Sequence, residues 1–188
     1  VRRLEKALAQ ARERGFLGKN IMGGDYSIDI SLHLGLESFI NGESTALMQA
    51  IEGKRPMPKA QPPHSCEKGL WGHPTNLNNV ETYATVPFII KNGADWYKSM
   101  GTPDSPGCKI WAMSGNIKYN GLMEFGMQTT FKEIIEDVCG GIQKKKALKL
   151  VHVGGVTGGF LPPEKADTKT DYDSLLEAGV IMGQASFA

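Results

Sequence analysis

Two polar turns, each opening an apolar run, most constrain what this chain can fold into. The first is Asn41-Gly42-Glu43-Ser44-Thr45-Ala46-Leu47, and the second is Pro74-Thr75-Asn76-Leu77-Asn78-Asn79-Val80-Glu81-Thr82. Between them, residues 54–63 hold Pro56, Pro58, Pro62 and Pro63. Proline fixes φ and removes a donor, so this stretch is neither regular helix nor central strand. It reads as an extended surface loop between two helix starts. A helix N-terminus presents free N–H groups that attract anions and the polar edges of cofactors. Two such termini close in one chain point to a mononucleotide or flavin pocket.

The spacing of apolar residues sets the remaining elements. Leu4, Ala7, Leu8 and Ala11 predict a helix over 2–14, stopped by Gly15. Residues 27–33 alternate strictly, with Ile28, Ile30 and Leu32 on one face, and predict a strand. Residues 43–52 read as a helix closed by Gly53. A further helix spans 78–91, its apolar face carrying Val80, Tyr83, Val86 (or Pro87) and Ile90, with Asn78 and Glu81 in capping-box relation and a break or kink expected at Pro87. Residues 94–100 form a short helix. Composition shifts at 101–107 (GTPDSPG), which reads as the domain boundary. Beyond it, strands over 109–115 and 121–125 flank a hairpin turn. Thr130 and Glu133 cap a helix running to Cys139, and 148–153 is a third strand. Hairpin, helix, strand is the order of a small β-grasp-like domain at 105–164. Residues 165–188 read as a truncated linker carrying a short helix or strand.

Several function classes drop out. A net charge of +1 gives no electrostatic case for nucleic acid. No run of eighteen apolar residues exists, so no membrane span is expected, and the charged start is no signal peptide. That start lacks a Met and predicts a piece cut from a longer chain. Cys66, Cys108 and Cys139 are scattered and suit a reduced, cytosolic setting. They and the four histidines lack metal-site spacing, so no metal or cluster is expected on this chain. The glycines of 154–159 lack a phosphate-loop pattern. Trp71, between Gly69 and Gly72, reads as a core or loop anchor, and Lys144-Lys145-Lys146 as a solvated turn. No Ser-His-Asp or Cys-His arrangement emerges.

Two groups remain as candidates. Gly42 permits close backbone approach, and Glu43 can accept from a flavin or ribose, or simply complement the helix dipole. Asn76, Asn78 and Asn79 offer donors and acceptors suited to flavin edges, whereas capping accounts for Asn78 alone.

Ordered motifs along the chain resemble a known family. They are Gly18-Lys19-Asn20, Gly42-Glu43-x-Thr45-Ala46-Leu47, Glu52-Gly53-Lys54-Arg55, Pro62-Pro63, Gly69-Leu70-Trp71-Gly72, Pro74-Thr75, Asn78-Asn79-Val80-Glu81-Thr82, Asn92-Gly93-Ala94-Asp95-Trp96, Ser114-Gly115 and Glu133-Ile134-Ile135. Together they resemble the NADH-oxidising flavoprotein subunit of respiratory complex I and its relatives in NAD-linked hydrogenases and formate dehydrogenases. The resemblance implies an α/β chain: residues 1–100 as the C-terminal half of a Rossmann-like FMN-binding domain, then a β-grasp domain of the soluble-ligand-binding (SLBB) type. Gly42, Glu43, Thr75, Asn78 and Asn79 would line FMN. Phe39, Ser44, Gln61 and His64 would face the nicotinamide nucleotide. FMN would take a hydride from NADH and pass electrons to a 4Fe-4S cluster held elsewhere in the parent protein. Implied partners are a thioredoxin-like 2Fe-2S subunit and other iron–sulfur subunits, in a cytoplasmic complex peripheral to the inner membrane.

The chain departs from the family pattern at five places. Ser44 replaces a second acid, Asn41 a common Cys, Gln61 a Lys and His64 a Phe, while Glu37 stands where small residues are usual. Losing a lysine and an aromatic from one site removes charge pairing and stacking together. The family's Gly-rich phosphate loop lies upstream of this chain and its cluster cysteines downstream. The isolated chain is therefore expected to bind FMN weakly and to be inactive. The competing expectation is a non-catalytic assembly or ligand-binding module with a degenerate nucleotide site. A sugar- or cobalamin-type binder built on the β-grasp domain rests on fold analogy alone.

Overall fold

A computed structural model describes residues 1–35 and 38–188. The chain is mixed α/β and forms two compact units, residues 1–78 and 79–188.

The first unit is mostly turns threaded between helices. Helix α1 spans Arg2–Glu13, and Gly15 leaves it at φ +71°. Residues 27–33 form no strand. Ile28 makes one bridge, to Gly18, and Ile28, Ile30 and Leu32 all remain exposed. Alternation sets which face a strand would bury, but a strand needs a neighbour's N–H and C=O groups to exist. A 3-10 turn over Phe39–Gly42 feeds helix α2, Ser44–Ile51, and α2 buries Thr45, Ala46, Met48 and Gln49. The proline-rich stretch is free of helix and strand, as its composition predicts. Helix α3, Ser65–Lys68, and a turn over Leu70–Gly72 follow.

The second unit holds the apolar core. Helix α4 spans Val80–Asn92 and α5 spans Ala94–Lys98. Of the break or kink expected at Pro87, the break does not occur: α4 continues through that residue to Asn92. Strands β1, Cys108–Met113, and β2, Gly121–Gly126, pair antiparallel with Trp111 opposite Met123. Thr130 then caps helix α6, Phe131–Glu133: Glu133 N–H donates to Thr130 Oγ1 (3.2 Å) and Thr130 N–H to Glu133 Oε2 (2.8 Å). The predicted capping box is thus present, although the helix widens to a π turn over Ile134–Val138. Strands β3, Val151–Val153, and β4, Gly159–Leu161, form a second antiparallel pair. Helix α7, Tyr172–Glu177, and strand β5, Ser186–Phe187, complete the unit.

The sheet order is β2-β1-β5-β3-β4, with β5 parallel to β1 and antiparallel to β3. The expectation of a linker over 165–188 is therefore corrected. Leu175, Val180, Met182 and Phe187 are buried, and β5 fills the centre of the sheet. Trp111, Phe131 and Phe187 meet edge-to-face or tilted, with centroids 5.6–6.4 Å apart. Such geometry suits the aromatic quadrupole and fills space that aliphatic chains would leave.

The compact units divide ahead of α4, not at residues 101–107. Glu81 explains this: its carboxylate accepts from Ile110 N–H (2.9 Å) and Lys109 Nζ (2.5 Å), tying α4 to β1. Gly101 and Gly107, at φ +86° and +98°, carry the chain tightly from α5 into β1. A side chain at Gly107 would overlap the Tyr97 ring.

Candidate functional site

Within the first unit, Glu43 is the N-cap of α2. Its Oε1 accepts from Thr45 N–H (3.0 Å) and Ser44 Oγ (3.1 Å). Its Oε2 accepts from Ala46 N–H (2.9 Å) and Thr45 Oγ1 (2.5 Å). A carboxylate has about four acceptor positions, so these four donors saturate it. The Thr45 hydroxyl bond, then the backbone bonds, hold the Glu43 carboxyl down at about 2. The expected open N-terminus on α2 is therefore corrected: a carboxylate of the chain's own already fills it. Glu43 fixes the turn and does not reach outward.

Gly42 stands just before this cap. Its φ lies outside the left-handed region, and an added Cβ would meet nothing within 4 Å. Neither backbone conformation nor packing within the chain demands glycine there. Phe39, first in the same turn, is exposed. Ser44 spends its hydroxyl on Glu43.

Thr75 is bound into its own loop. Its Oγ1 accepts from Leu70 N–H (2.9 Å) and donates to His73 O (2.9 Å), while its N–H donates to Ser65 O (2.8 Å). Gly69 lies so close that a Cβ there would overlap Thr75. Asn78 Nδ2 donates to Asn76 Oδ1 (3.0 Å), and both residues are exposed. The Asn78–Glu81 capping box is corrected. The N-cap of α4 is Asn79, without a side-chain cap bond, and Glu81 turns instead to β1. Burial opposes ionisation of Glu81, but the Ile110 and Lys109 bonds outweigh it and the carboxyl titrates below its usual range.

Gln61 and His64 come together, with Gln61 Oε1 3.0 Å from His64 Nδ1. His64 N–H is also fixed, to Glu67 Oε2 (3.0 Å). The structure thus joins Glu43 to Ser44, Gln61 to His64 and Asn78 to Asn76. Asn79 falls in the second unit, and Glu37 lies outside the described residues.

Sequence reasoning missed Thr45 as the hinge of this region. Its hydroxyl donates to Glu43 and accepts from Lys59 N–H (2.8 Å), anchoring the proline-rich loop to α2. A buried threonine on an apolar helix face was the available signal. Glu52 was missed as well. It lies just past the C-terminus of α2 and accepts Trp71 N–H (2.7 Å) and Lys54 Nζ (2.7 Å), so its carboxyl titrates below the usual range. Trp71 is no core anchor, since its ring is exposed.

Taken separately, Asn76 and Asn78 expose amide donors and acceptors of the kind a flavin edge uses, and Gly42 exposes an unobstructed backbone. A phosphate does not fit at the start of α2, where Glu43 already stands. Among the described residues, no group of three or more His, Cys, Asp or Glu side chains could hold a metal ion. No described helix is long and apolar enough to cross a membrane.

Residues 1–88 match the family model for the Nuo51 FMN-binding domain. The chain is 45% identical over 183 residues to the NADP-reducing hydrogenase subunit HndC of Solidesulfovibrio fructosivorans, covering 97% of this chain and 37% of that protein. It is 38% identical over 185 residues to a NADH-quinone oxidoreductase subunit of Rhizobium meliloti (strain 1021), covering 98% and 44%. A crystal structure of an NAD+-reducing [NiFe]-hydrogenase in the air-oxidized state superposes with a TM-score of 0.76 at 30% identity, covering 98% of this chain and 30% of that one. The chain therefore spans less than half the length of each of these relatives.

Proposed function

From a chain homologous along nearly its whole length to NADH-quinone oxidoreductase and NAD-linked hydrogenase subunits, with residues 1–88 in the Nuo51 FMN-binding domain family, we propose one wall of an FMN pocket within a nicotinamide-nucleotide oxidoreductase. Gly42 carries the reading. It is a glycine that the chain's own geometry does not require, set beside a rigid cap. A ligand lying against the backbone is what would require it.

In this proposal Gly42 lets the flavin approach, and Glu43 holds that turn rigid without contacting the ring. Asn78 and Asn79 orient the polar edge of the flavin, and Thr75 keeps their loop in place. Bound there, FMN supplies the exchange between a two-electron hydride donor and one-electron carriers. Phe39 would face the nucleotide, with Ser44, Gln61 and His64 around it. Gln61 lacks the ammonium that the family pattern has at its position, so this pair holds nucleotide phosphates less strongly. The parent's 4Fe-4S cluster and its thioredoxin-like 2Fe-2S and iron–sulfur partner subunits belong to the same proposal, as does a cytoplasmic, membrane-peripheral complex. The chain by itself carries only part of the pocket and would not turn over.

The second unit fits the β-grasp reading. Two antiparallel hairpins flank the single central strand β5, which is parallel to β1, with a helix between the hairpins, and the strand order is 2-1-5-3-4. Because β5 closes that sheet, an SLBB-type domain would reach to residue 187 and not end at 164.

The second reading, a non-catalytic assembly module, is favoured by one observation. Glu43, Ser44, Gln61 and His64 all satisfy one another or the local backbone. The deciding experiment is the visible spectrum of the full-length protein, purified without oxygen, before and after adding NADH or NADPH. Bound flavin that bleaches supports the oxidoreductase. Flavin that persists with both donors refutes nicotinamide oxidation, and absence of flavin leaves the assembly module.

A further inference from the structure

A cleft of about 520 Å3 opens within the first unit, between α2 and the segment running from the proline-rich loop to Gly72. Lys54, Lys59 and Lys68 line it, together with Glu52 and Trp71. None of Gly42, Glu43, Thr75, Asn78, Phe39, Ser44, Gln61 or His64 lines it, although Thr45, Ser65 and Gly69 adjoin that group from the cleft side.

Its charges are unbalanced. Glu52 is the one carboxylate in its lining, and that side chain is only 9% exposed. Lys54 offsets its charge, Lys59 adds to that, and Trp71 N–H donates to it. Among the described residues, Lys59 and Lys68 form no ion pair. Three lysines therefore share one carboxylate in the lining: Lys54 engages Glu52, Lys59 also acts on its charge, and the cleft keeps an excess of positive charge.

Its aromatic is held in place at a cost. Trp71 sits at φ 50°, ψ 25°, a left-handed conformation that β-substituted residues avoid. The residue stays 66% exposed, so burial does not offset the strain. The backbone around it is over-determined. Glu52 grips its N–H, Gly72 N–H donates to Gly69 O (3.0 Å), and Gly69 N–H donates to His73 O (2.8 Å). Gly69 admits no side chain, because a Cβ would overlap Thr75 and press on Ser65 O. A strained residue fixed from several sides, with its ring turned outward, marks a place where the ring is used.

We propose that this cleft binds a nucleoside diphosphate, with the base stacked on Trp71 and the phosphates held by Lys59 and Lys68. A flat π face is selective for planar rings, and paired ammonium groups for phosphate oxygens. The volume suits one nucleotide, within the roughly 300–1,000 Å3 usual for such sites. Lys54, engaged by Glu52, positions the Trp71 turn and does not contact phosphate.

The test uses ADP as probe on the full-length protein. Titration is followed by tryptophan fluorescence and by calorimetry at low salt, with pyrophosphate in parallel. The expected result is saturable quenching at submillimolar ADP, with pyrophosphate about tenfold weaker and without quenching. Trp71→Phe removes the quench and Lys59→Ala/Lys68→Ala weakens binding about tenfold or more, as does high salt. Lys68→Ala alone lies on an exposed helix and keeps the test valid should Trp71→Phe fail to fold. No saturable heat overturns the proposal. So does ADP binding indifferent to these substitutions, which would place it in the flavin or nucleotide wall instead. Pyrophosphate binding as tightly as ADP overturns the stacking role. Each of these outcomes is independent of whether the protein holds flavin.

Discussion

Replacing Glu43 by Gln tests the central structural claim of the first unit, that this carboxylate caps α2 and serves no outward role. Glu43→Gln retains one acceptor oxygen but turns the other position into a donor facing N–H and O–H groups that already donate. The drop of the Glu43 carboxyl from 4.5 to about 2 corresponds to about 3.4 kcal/mol at face value. The group is partly exposed, and solvent screening brings the expected loss to about 1–2 kcal/mol, the usual worth of a side-chain cap. The pH dependence has a definite sign. A carboxyl lowered on folding contributes stability above its unfolded value near 4.5, and that contribution fades as pH falls through about 2. Trp71 is the one tryptophan of residues 1–78 and reports on this unit. Urea unfolding followed by its fluorescence, in a protein with Trp96 and Trp111 replaced by Phe, should show Glu43→Gln less stable at neutral pH. The two proteins should converge as pH drops from about 5 toward 2. Equal stability at neutral pH, or a difference that persists at pH 2, would refute the capping argument.

Three further outcomes follow from particular contacts. Glu81→Ala removes charge-assisted bonds to Lys109 and Ile110, and should cost about 2–3 kcal/mol and speed hydrogen exchange at the Ile110 amide. Gly158→Ala places a Cβ onto Val153 O and beside Gly154, backbone that cannot yield; a loss of about 3 kcal/mol or more by chemical denaturation is expected. The Trp111 indole N–H is buried without a partner among the described residues, so Trp111→Phe trades lost packing for relief of a desolvated donor. Its measured cost should stay within about 1–2 kcal/mol, well below that of an ordinary fully buried tryptophan.

The exposed apolar face of α4 shows how far local pattern carries. Val80, Tyr83, Val86 and Ile90 were legible as one stripe, and α4 forms there, yet all four stay exposed. Periodicity states that a face is apolar, and only a partner surface decides whether it is buried. Residues 27–33 fail as a strand for the same reason: their alternation is clear, but strand pairing is a property of two segments.

By itself the sequence determined much that depends on neighbours along the chain. Glycine and proline placement set the ends of α1 and α2 and the open proline-rich loop, Thr130 with Glu133 set the start of α6, and ordered motifs identified the family. Tertiary structure alone decided three things. It placed β5 between β1 and β3, because two residues carry too little pattern to reveal a central strand until both neighbours offer hydrogen bonds. It turned Glu81 from helix cap to inter-element tie, because a carboxylate goes to the strongest donors within reach, and Lys109 and Ile110 come into reach only on folding. And it brought Glu52 under Trp71, nineteen residues away, making a rigid aromatic cleft from a loop that in sequence looked like an anchor.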